Sequence, residues 1–359
     1  MAFSANSTFA SVAETLYTYP ELVFVTVGAS ILITVTLVGN SLVLVAVART
    51  KTLQNVTNVF LVNLSVADCL LSFAMLWSVP GLVSKTPGYP LESDIPCVTA
   101  AGLLFIATGC SVFTLANIAV NRFILITRRR TTYQRLYTPR KIALMVLASW
   151  LVPMCAVVIP PLFGIGGLGF DLESRGCQQL TTLPKAAVYT KIRTAVFYPV
   201  PFIVIIVSYA LIWRHVRRHF KKRQQPGISL QSTAESAVGT LACSTSLRLG
   251  GVDEPDFSSI SGPSMSSRRA KRRRHLNSVK RDHLAITKNL LVVVVAFIIC
   301  FTPIAIMAFT GSKRYYLYGA LILLVHGCIT PFIYAAKHPY FKPTLRSMTR
   351  CLCSKLQEV

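Results

Sequence analysis

Residues 22–47, LVFVTVGASILITVTLVGNSLVLVAV, decide the fold of this chain, because the run contains no charged side chain. A helix needs about 20 apolar residues to cross a hydrocarbon core of roughly 30 Å. Further apolar runs follow at residues 59–83, 98–120, 142–163, 194–213, 289–311 and 315–336. Lipid offers no partner to open backbone groups, so each run must form a helix. The sequence therefore predicts an all-α membrane protein, a bundle of seven transmembrane helices.

The composition agrees with a membrane protein and disfavours other classes. Of 359 residues, 53% are hydrophobic and 14% are charged, whereas soluble domains carry about 25% charged residues. A soluble enzyme, a disordered protein and a secreted disulfide scaffold are therefore excluded. No Ser/His/Asp or paired-carboxylate arrangement stands out, and we expect no enzyme. The GIGGLG run at 164–169 matches a dinucleotide-binding pattern, but it follows a membrane helix and not a strand, so it indicates no phosphate site.

The positive charge is explained by membrane topology. The net charge is +24, and the first basic residue of the chain is Arg49. Only seven of the 37 Lys and Arg residues fall on the side of the N-terminus. Basic residues accumulate on the cytoplasmic side of membrane proteins. We therefore expect a multi-pass plasma-membrane protein with an extracellular N-terminus, and no nucleic-acid partner.

The remaining segments divide the chain. Residues 1–21 form an extracellular tail, with an N-glycosylation acceptor at Asn6. Residues 22–336 form the bundle, in which residues 219–282 are predicted to be a disordered cytoplasmic loop 3, rich in Ser, Gly and Pro between basic blocks. Residues 337–359 form an amphipathic helix on membrane lipid and a cytoplasmic tail. Cys351 and Cys353 are positioned there for palmitoylation, with two reduced thiols as the alternative.

Two cysteines face the extracellular side in this topology. Cys97 begins the third span, and Cys177 follows the fourth. Extracellular compartments are oxidising, so two cysteines there predict one disulfide bond.

Short motifs occur in a fixed order along the seven runs. They are Gly39-Asn40, Asn63-Leu64-Ser65-Val66-Ala67-Asp68, Cys97, Asn121-Arg122-Phe123, Trp150, Pro201, Tyr209, Cys300-Phe301-Thr302-Pro303 and Thr330-Pro331-Phe332-Ile333-Tyr334. In this order they resemble the rhodopsin-like (class A) G-protein-coupled receptors over nearly the whole chain. The Asn-Arg pair is similar to that of the melatonin, moody and trapped-in-endoderm receptors, and the medium-chain fatty-acid receptor is a looser relative.

The chain departs from the family pattern at four positions. Asn121 replaces the usual acid before the arginine, and Phe123 replaces the usual tyrosine after it. Phe301 replaces a tryptophan, and Thr330 replaces an asparagine. The resemblance implies that Arg122 contacts the G protein in the active state. It also implies that Asn121, which cannot ionise, weakens the interactions that hold Arg122 in the inactive state. In the sixth helix the family usually has an acid that pairs with this arginine in the inactive state, and this chain has His283 there. The neighbouring Asp282 could replace that acid in part.

The resemblance also implies a switch and an ion site. Outward movement of the sixth helix, kinked at Pro303, is the family's activation step, and Phe301 lies at the bend. Further switch residues implied are Tyr209, Thr330, Pro331 and Tyr334. Asp68 is the only acid within the apolar runs, and an intramembrane carboxylate is a functional candidate by default. With Asn40 and Ser111 it corresponds to an allosteric sodium site, which Thr330 would weaken; a water-bridged structural aspartate is the alternative.

The chemical class of the ligand can be narrowed by comparing this chain with receptors of known ligand class. Amine receptors carry an acid eighteen residues before the helix-three arginine, where this chain has Leu104, and the seventh run lacks the retinal lysine of opsins. An apolar pocket is expected from Leu104, Phe105, Thr108, Phe301, Ile304, Ala305, Ala320 and Leu324. Arg193, eight residues before Pro201, is predicted to bind an anionic head group, with Arg175 and Lys191 as second choices. Alternatively, Arg193 reaches out to the lipid head groups.

The implied function is that of a receptor that binds an extracellular small molecule, lipid-like or anionic, and activates a heterotrimeric G protein. Arrestin and a receptor kinase are further implied partners. A non-signalling decoy or scaffold of the same fold remains an alternative. A transporter or channel is a weaker alternative, because the seven spans show no paired repeats.

Overall fold

The computed structural model describes residues 16–84, 88–224, 291–307, 310, 314–337, 341, 343–344 and 346–347. Asn6, Asp282, His283, Cys351, Cys353 and residues 225–282 of the predicted loop lie outside them. The described part contains a two-stranded sheet, a 3-10 helix at Lys51–Leu53, helical residues at 341, 343–344 and 346–347, and ten longer α-helices. The helices are α1 Tyr19–Arg49, α2 Val56–Leu76, α3 Val79–Val83, α4 Ile95–Thr127, α5 Arg130–Leu136, α6 Pro139–Leu162, α7 Ala186–Phe197, α8 Pro199–Gln224, α9 Leu291–Met307 and α10 Tyr316–Lys337.

The predicted transmembrane helices are confirmed. Within the described residues, six helical segments are long and apolar enough to cross a membrane, and the shorter apolar helix α9 is a seventh. Two predicted runs are each built from two helices. The second run consists of α2 and α3, and the fifth consists of α7 and α8, which meet at Tyr198. Pro199 has no N–H to continue the helix, and it begins α8. This helix continues to Gln224, beyond the start of the predicted loop at residue 219.

Helix α4 lies at the centre of the bundle and packs against α2, α6 and α8. Small residues allow close approach at two helix pairs. A Cβ atom on Gly39 of α1 would lie 2.7 Å from Cγ of Pro331 on α10. A Cβ atom on Gly109 of α4 would lie 2.6 Å from Cβ of Pro153 on α6. Both distances are too short for a side chain, so glycine is needed at each crossing. The Gly39 motif therefore fixes α1 against α10.

An antiparallel hairpin covers one end of the bundle, called here the hairpin end. Its strands are β1 Leu168–Asp171 and β2 Gly176–Gln179, with Phe170 paired to Cys177. The predicted disulfide bond between Cys97 and Cys177 is confirmed, with a Cα–Cα distance of 5.1 Å. It joins β2 to the first turn of α4, and the N–H of Cys177 donates to Ser78 Oγ at 3.0 Å. The hairpin is therefore held to α4 and to the break between α2 and α3.

Candidate ligand and activation sites

The end of α4 opposite the hairpin carries the Asn121-Arg122-Phe123 motif, and it is called here the arginine end. Asn121 is fully buried and does not use its amide on Arg122. Its Oδ1 accepts from Thr57 Oγ1 at 3.0 Å, and its Nδ2 donates to the Tyr133 hydroxyl at 3.1 Å. Asn121 thus ties α4 to α2 and to the short helix α5. Phe123, the last residue of the motif, is half-buried.

The short helix beneath Asn121 is held by aromatic contacts. The rings of Tyr133 and Tyr137 lie 4.9 Å apart, and Tyr137 also meets Phe60 of α2 edge-on at 6.4 Å. Burial raises the pKa of the Tyr137 phenol to about 12, so this group stays neutral and can act as a hydrogen-bond donor. This anchoring keeps Tyr133 in place against the Asn121 amide.

Arg122 is buried among tyrosines. Its side chain is only 4% exposed, and no acceptor for its Nε lies among the described residues. The phenols of Tyr209 on α8 and Tyr334 on α10 lie within electrostatic range of its guanidinium. No ion pair to Arg122 is formed within the described part of the chain. Three helices therefore bring their predicted switch residues around one arginine that lacks a carboxylate partner there, and an unpaired buried charge is costly.

A second group of buried polar side chains comes from α1, α2, α4 and α10. Asp68 is buried, and its Oδ1 accepts from Ser111 Oγ at 3.2 Å. The other carboxylate oxygen has no donor among the described residues, and the same holds for Asn40 Oδ1 and Thr330 Oγ1. The Asn40 amide nitrogen donates to the carbonyls of Thr36 and Gly327, each at 3.0 Å. The cluster thus offers buried oxygen atoms, which are the ligands that hard cations prefer.

Aromatic rings connect α7 and α8 to α9 and α10. Phe301 stacks on Phe297 with ring centroids 4.5 Å apart and meets Tyr198 at 5.3 Å. Phe297 also contacts Phe202 at 6.1 Å and the buried ring of His326 at 4.8 Å. Phe301 lies two residues before Pro303, so a shift at Tyr198 would be felt at the predicted bend of α9. No motif or spacing along the chain indicated Tyr198 or His326 as members of this cluster.

The guanidinium of Arg193 points into the bundle and not towards the lipid. Its Cζ lies 3.7 Å from the centroid of the Phe105 ring and 5.5 Å from that of Tyr189. Its Nη1 is shielded from solvent and has no hydrogen-bond partner among the described residues. Tyr198 and Tyr316 lie within electrostatic range. Stacking on aromatic rings stabilises the cation in part, but one donor remains unused.

The second-choice basic residues are placed differently. Arg175 is buried, adopts a left-handed backbone with a φ of 56°, and its Nη2 donates to the Ser84 carbonyl. Burial lowers the pKa of its guanidinium. Lys191 is exposed. Arg175 therefore serves to hold the hairpin loop, and Arg193 is the better placed of the three for a ligand inside the bundle.

A cavity opens beneath the hairpin, between α1, α2, α3, α4 and α10. Its cavity volume is about 40 Å³, and it is partly open to solvent. Of the predicted pocket residues, it is lined by Leu104, Ala320 and Leu324. Phe105 instead lies beneath Arg193, and Ile304 faces Gly319 of α10. Thr108 and Phe301 are buried and do not line this cavity. Its other lining residues, which were not predicted, include Ser78, Gln178 and Tyr316.

Residues 39–334 match the family model described as 7 transmembrane receptor (rhodopsin family). The chain is 26% identical over 357 residues to the G-protein coupled receptor moody of Drosophila melanogaster, covering 93% of this chain and 52% of that protein. It is 31% identical over 207 residues to melatonin receptor type 1B-B of Danio rerio, covering 56% and 58%. The chain thus spans a little over half the length of these relatives. Squid rhodopsin has a similar fold, with a TM-score of 0.71 at 17% identity, covering 94% of this chain and 88% of that structure.

Proposed function

The chain belongs to the rhodopsin family of seven-transmembrane receptors, and on that premise we propose that it binds an extracellular ligand and activates heterotrimeric G proteins. The observation that carries the proposal is the arginine end, where Arg122 is buried beside Tyr209 and Tyr334 and has no carboxylate partner among the described residues. Such an arginine is stabilised by acceptors that a partner protein supplies when the helices part. In the plasma membrane the hairpin end faces outside and the arginine end faces the cytoplasm. Arrestin and a receptor kinase would recognise the same cytoplasmic face.

Activation uses the aromatic cluster between the two ends. A ligand at the hairpin end that shifts α7 would move Tyr198 against Phe301. Because α9 is packed through Phe297 and Phe301, the shift biases the position of that helix, which Pro303 allows to bend. The outward position opens the crevice around Arg122. A ligand shifts this equilibrium only by its difference in affinity for the two positions.

The ligand carries a negative charge. The unused Nη1 of Arg193 supports this, since burying a cationic donor without an acceptor is unfavourable. A carboxylate or phosphate can accept two parallel hydrogen bonds from a guanidinium. The aromatic rings of Phe105 and Tyr189 fix the orientation of that guanidinium. A cationic amine would be repelled at the same place.

A sodium ion modulates the receptor through Asp68. The undonated carboxylate oxygen, the Ser111 hydroxyl and the free oxygen of Asn40 fit a hard cation. Thr330 supplies a hydroxyl where the family has an amide, so the ion is held less firmly. When bound, the ion supplies positive charge that lets Asp68 stay ionised in the bundle.

The proposal is tested in cells with a panel of anionic amphiphiles and a G-protein activation readout. Removing one partner of a desolvated charge pair costs about 2–5 kcal/mol, or roughly 30- to several-thousand-fold in affinity. Arg193→Ala should therefore weaken the agonist by that factor at normal surface expression, and Arg193→Lys should restore only part of the loss. Lys191→Ala is the matched control on the exposed side of α7.

Four results would each contradict part of the proposal. A potency change of tenfold or less in Arg193→Ala, or a potent cationic agonist, would contradict the proposal that the ligand is anionic. Ligand binding without any G-protein activation would instead favour a decoy or scaffold receptor. Ion flux in the absence of G proteins would favour a channel.

A further inference from the structure

The cavity beneath the hairpin has walls that suit an apolar occupant. Its sides are formed by aliphatic residues of four helices, among them Val25, Leu82, Leu104 and Leu321. Its few polar groups are already engaged within the protein. Ser78 Oγ accepts from the Cys177 N–H at 3.0 Å, and Gln178 Nε2 donates to Asp171 Oδ2 at 3.2 Å. An occupant therefore meets mainly hydrocarbon and gains little from polar groups of its own.

The cavity and the surroundings of Arg193 have Tyr316 as a common neighbour. Tyr316 lines the cavity, and its phenol lies within electrostatic range of the Arg193 guanidinium. Leu104 also lines the cavity. The ring centroid of the next residue, Phe105, lies 3.7 Å from Cζ of Arg193. The Nη1 donor of Arg193, which has no hydrogen-bond partner among the described residues, thus lies near an apolar cavity. A single molecule with a charged head and a hydrocarbon tail would satisfy both.

We propose that the cavity binds the unbranched hydrocarbon tail of a single-chain anionic amphiphile whose head is held by Arg193. The head is a carboxylate or a phosphate, so that free carboxylic acids and single-chain phospholipids are the two sources of such a molecule. The inference rests on the proposed function in so far as this molecule is the agonist. Tyr316 separates head from tail, and Ala320 and Leu324 form the wall that limits tail length.

The tail site makes a quantitative prediction. Each buried methylene contributes about 0.8 kcal/mol, which corresponds to roughly a fourfold gain in affinity. Affinity for a homologous series should therefore rise about fourfold per methylene and then stop rising where the cavity is filled. A ligand that lies only near Arg193 would show no such dependence on chain length.

The test uses the full chain, purified and reconstituted in lipid nanodiscs. Saturated monocarboxylates of increasing length and the matching alkyl phosphates are ranked by their stabilisation of the receptor against heat, which reports binding without a G protein. G-protein activation is measured in parallel. Ala320→Leu should shorten the chain length at which affinity stops rising, and Leu324→Ala should lengthen it. Ala335→Leu is the matched control, because Ala335 lies exposed on the same helix.

The two variants act in opposite directions, so a general loss of folding cannot imitate the result. A chain-length profile that is flat, or that neither variant shifts, would overturn the inference. If neither series binds while another compound class activates a G protein, the inference fails and the proposed function stands. If amphiphiles bind with the expected profile but no G protein responds, the inference stands and the proposed function fails. The carboxylate and phosphate series decide between the two sources of the head group.

Discussion

The disulfide bond gives a prediction whose size follows from the structure. Cys97 and Cys177 are 80 residues apart in the chain. In the chain-entropy model, closing a loop of that length stabilises the folded state by about 4.5 kcal/mol. Helices α4 and α6 both lie within the loop and are restrained by the membrane even when the bundle is unfolded. We therefore expect replacement of Cys97 by Ala to cost between about 2 and 4.5 kcal/mol in the free energy of unfolding.

The loss should also reach the ligand site, because the bond holds the hairpin over the cavity. Without it, the Cys177 N–H can leave Ser78, and the roof of the cavity formed by Gln178 becomes mobile. Agonist potency should fall together with stability in Cys97→Ala and in Cys177→Ala. The free energy is measured by equilibrium unfolding in mixed detergent micelles, and potency is measured in cells after correction for surface expression.

The control is Cys155→Ala, which removes an exposed free cysteine from α6 and should leave both quantities unchanged. The double variant Cys97→Ala/Cys177→Ala should lose about as much as either single variant, since all three lack the same bond. Single variants within about 0.5 kcal/mol of wild type, or a double variant equal to the sum of the singles, would refute this reasoning.

Three further predictions concern the sites inside the bundle. Asn121→Asp should lower basal G-protein activation several-fold, because the carboxylate can accept from Thr57 and Tyr133 while placing a negative charge beside Arg122; unchanged or higher basal activity would contradict this. Agonist potency in wild type should change when sodium replaces potassium, and Asp68→Asn should abolish that difference; a sodium effect that persists in the variant would rule out the site. Gly39→Ala should cost about 1–3 kcal/mol by overpacking, since its Cβ would lie 2.7 Å from Pro331, whereas Gly102→Ala, with 3.6 Å to Leu168, should be tolerated; equal stability of the two would show that the crossing can relax.

The positions of helices and motif residues could be predicted because they depend on local properties. Seven apolar runs are visible without any tertiary information, since length and hydropathy alone decide whether a helix can span a bilayer. Arg193 could be singled out because it comes just before the fifth apolar run, eight residues before Pro201, where the family resemblance implies a ligand pocket. The same reasoning could not choose between inward and outward orientation of its side chain. That choice depends on Phe105 and Tyr189, which come from different helices.

The rest of the cavity lining could not be predicted, because part of it comes from the hairpin and from helix breaks. Ser78 lies where α2 gives way to α3, and Gln178 is placed by the pairing of β2 with β1. Tyr316 lies near the edge of the seventh apolar run, where the neighbouring residues show no hydropathy pattern that would indicate a cavity-lining position. The interruption at Tyr198 was also hidden, since residues 194–213 are apolar on both sides of it. Long-range packing determines these features, and spacing along the chain does not record it.

The central claim is that this chain passes a ligand signal to a G protein through Arg122, and nucleotide exchange measures it most directly. Purified receptor in lipid nanodiscs is mixed with a heterotrimeric G protein, and the rate of guanine-nucleotide exchange is followed with and without agonist. We expect the wild type to accelerate exchange and Arg122→Ala to lose the acceleration while still binding agonist and reaching the cell surface. Full acceleration by Arg122→Ala would contradict the account.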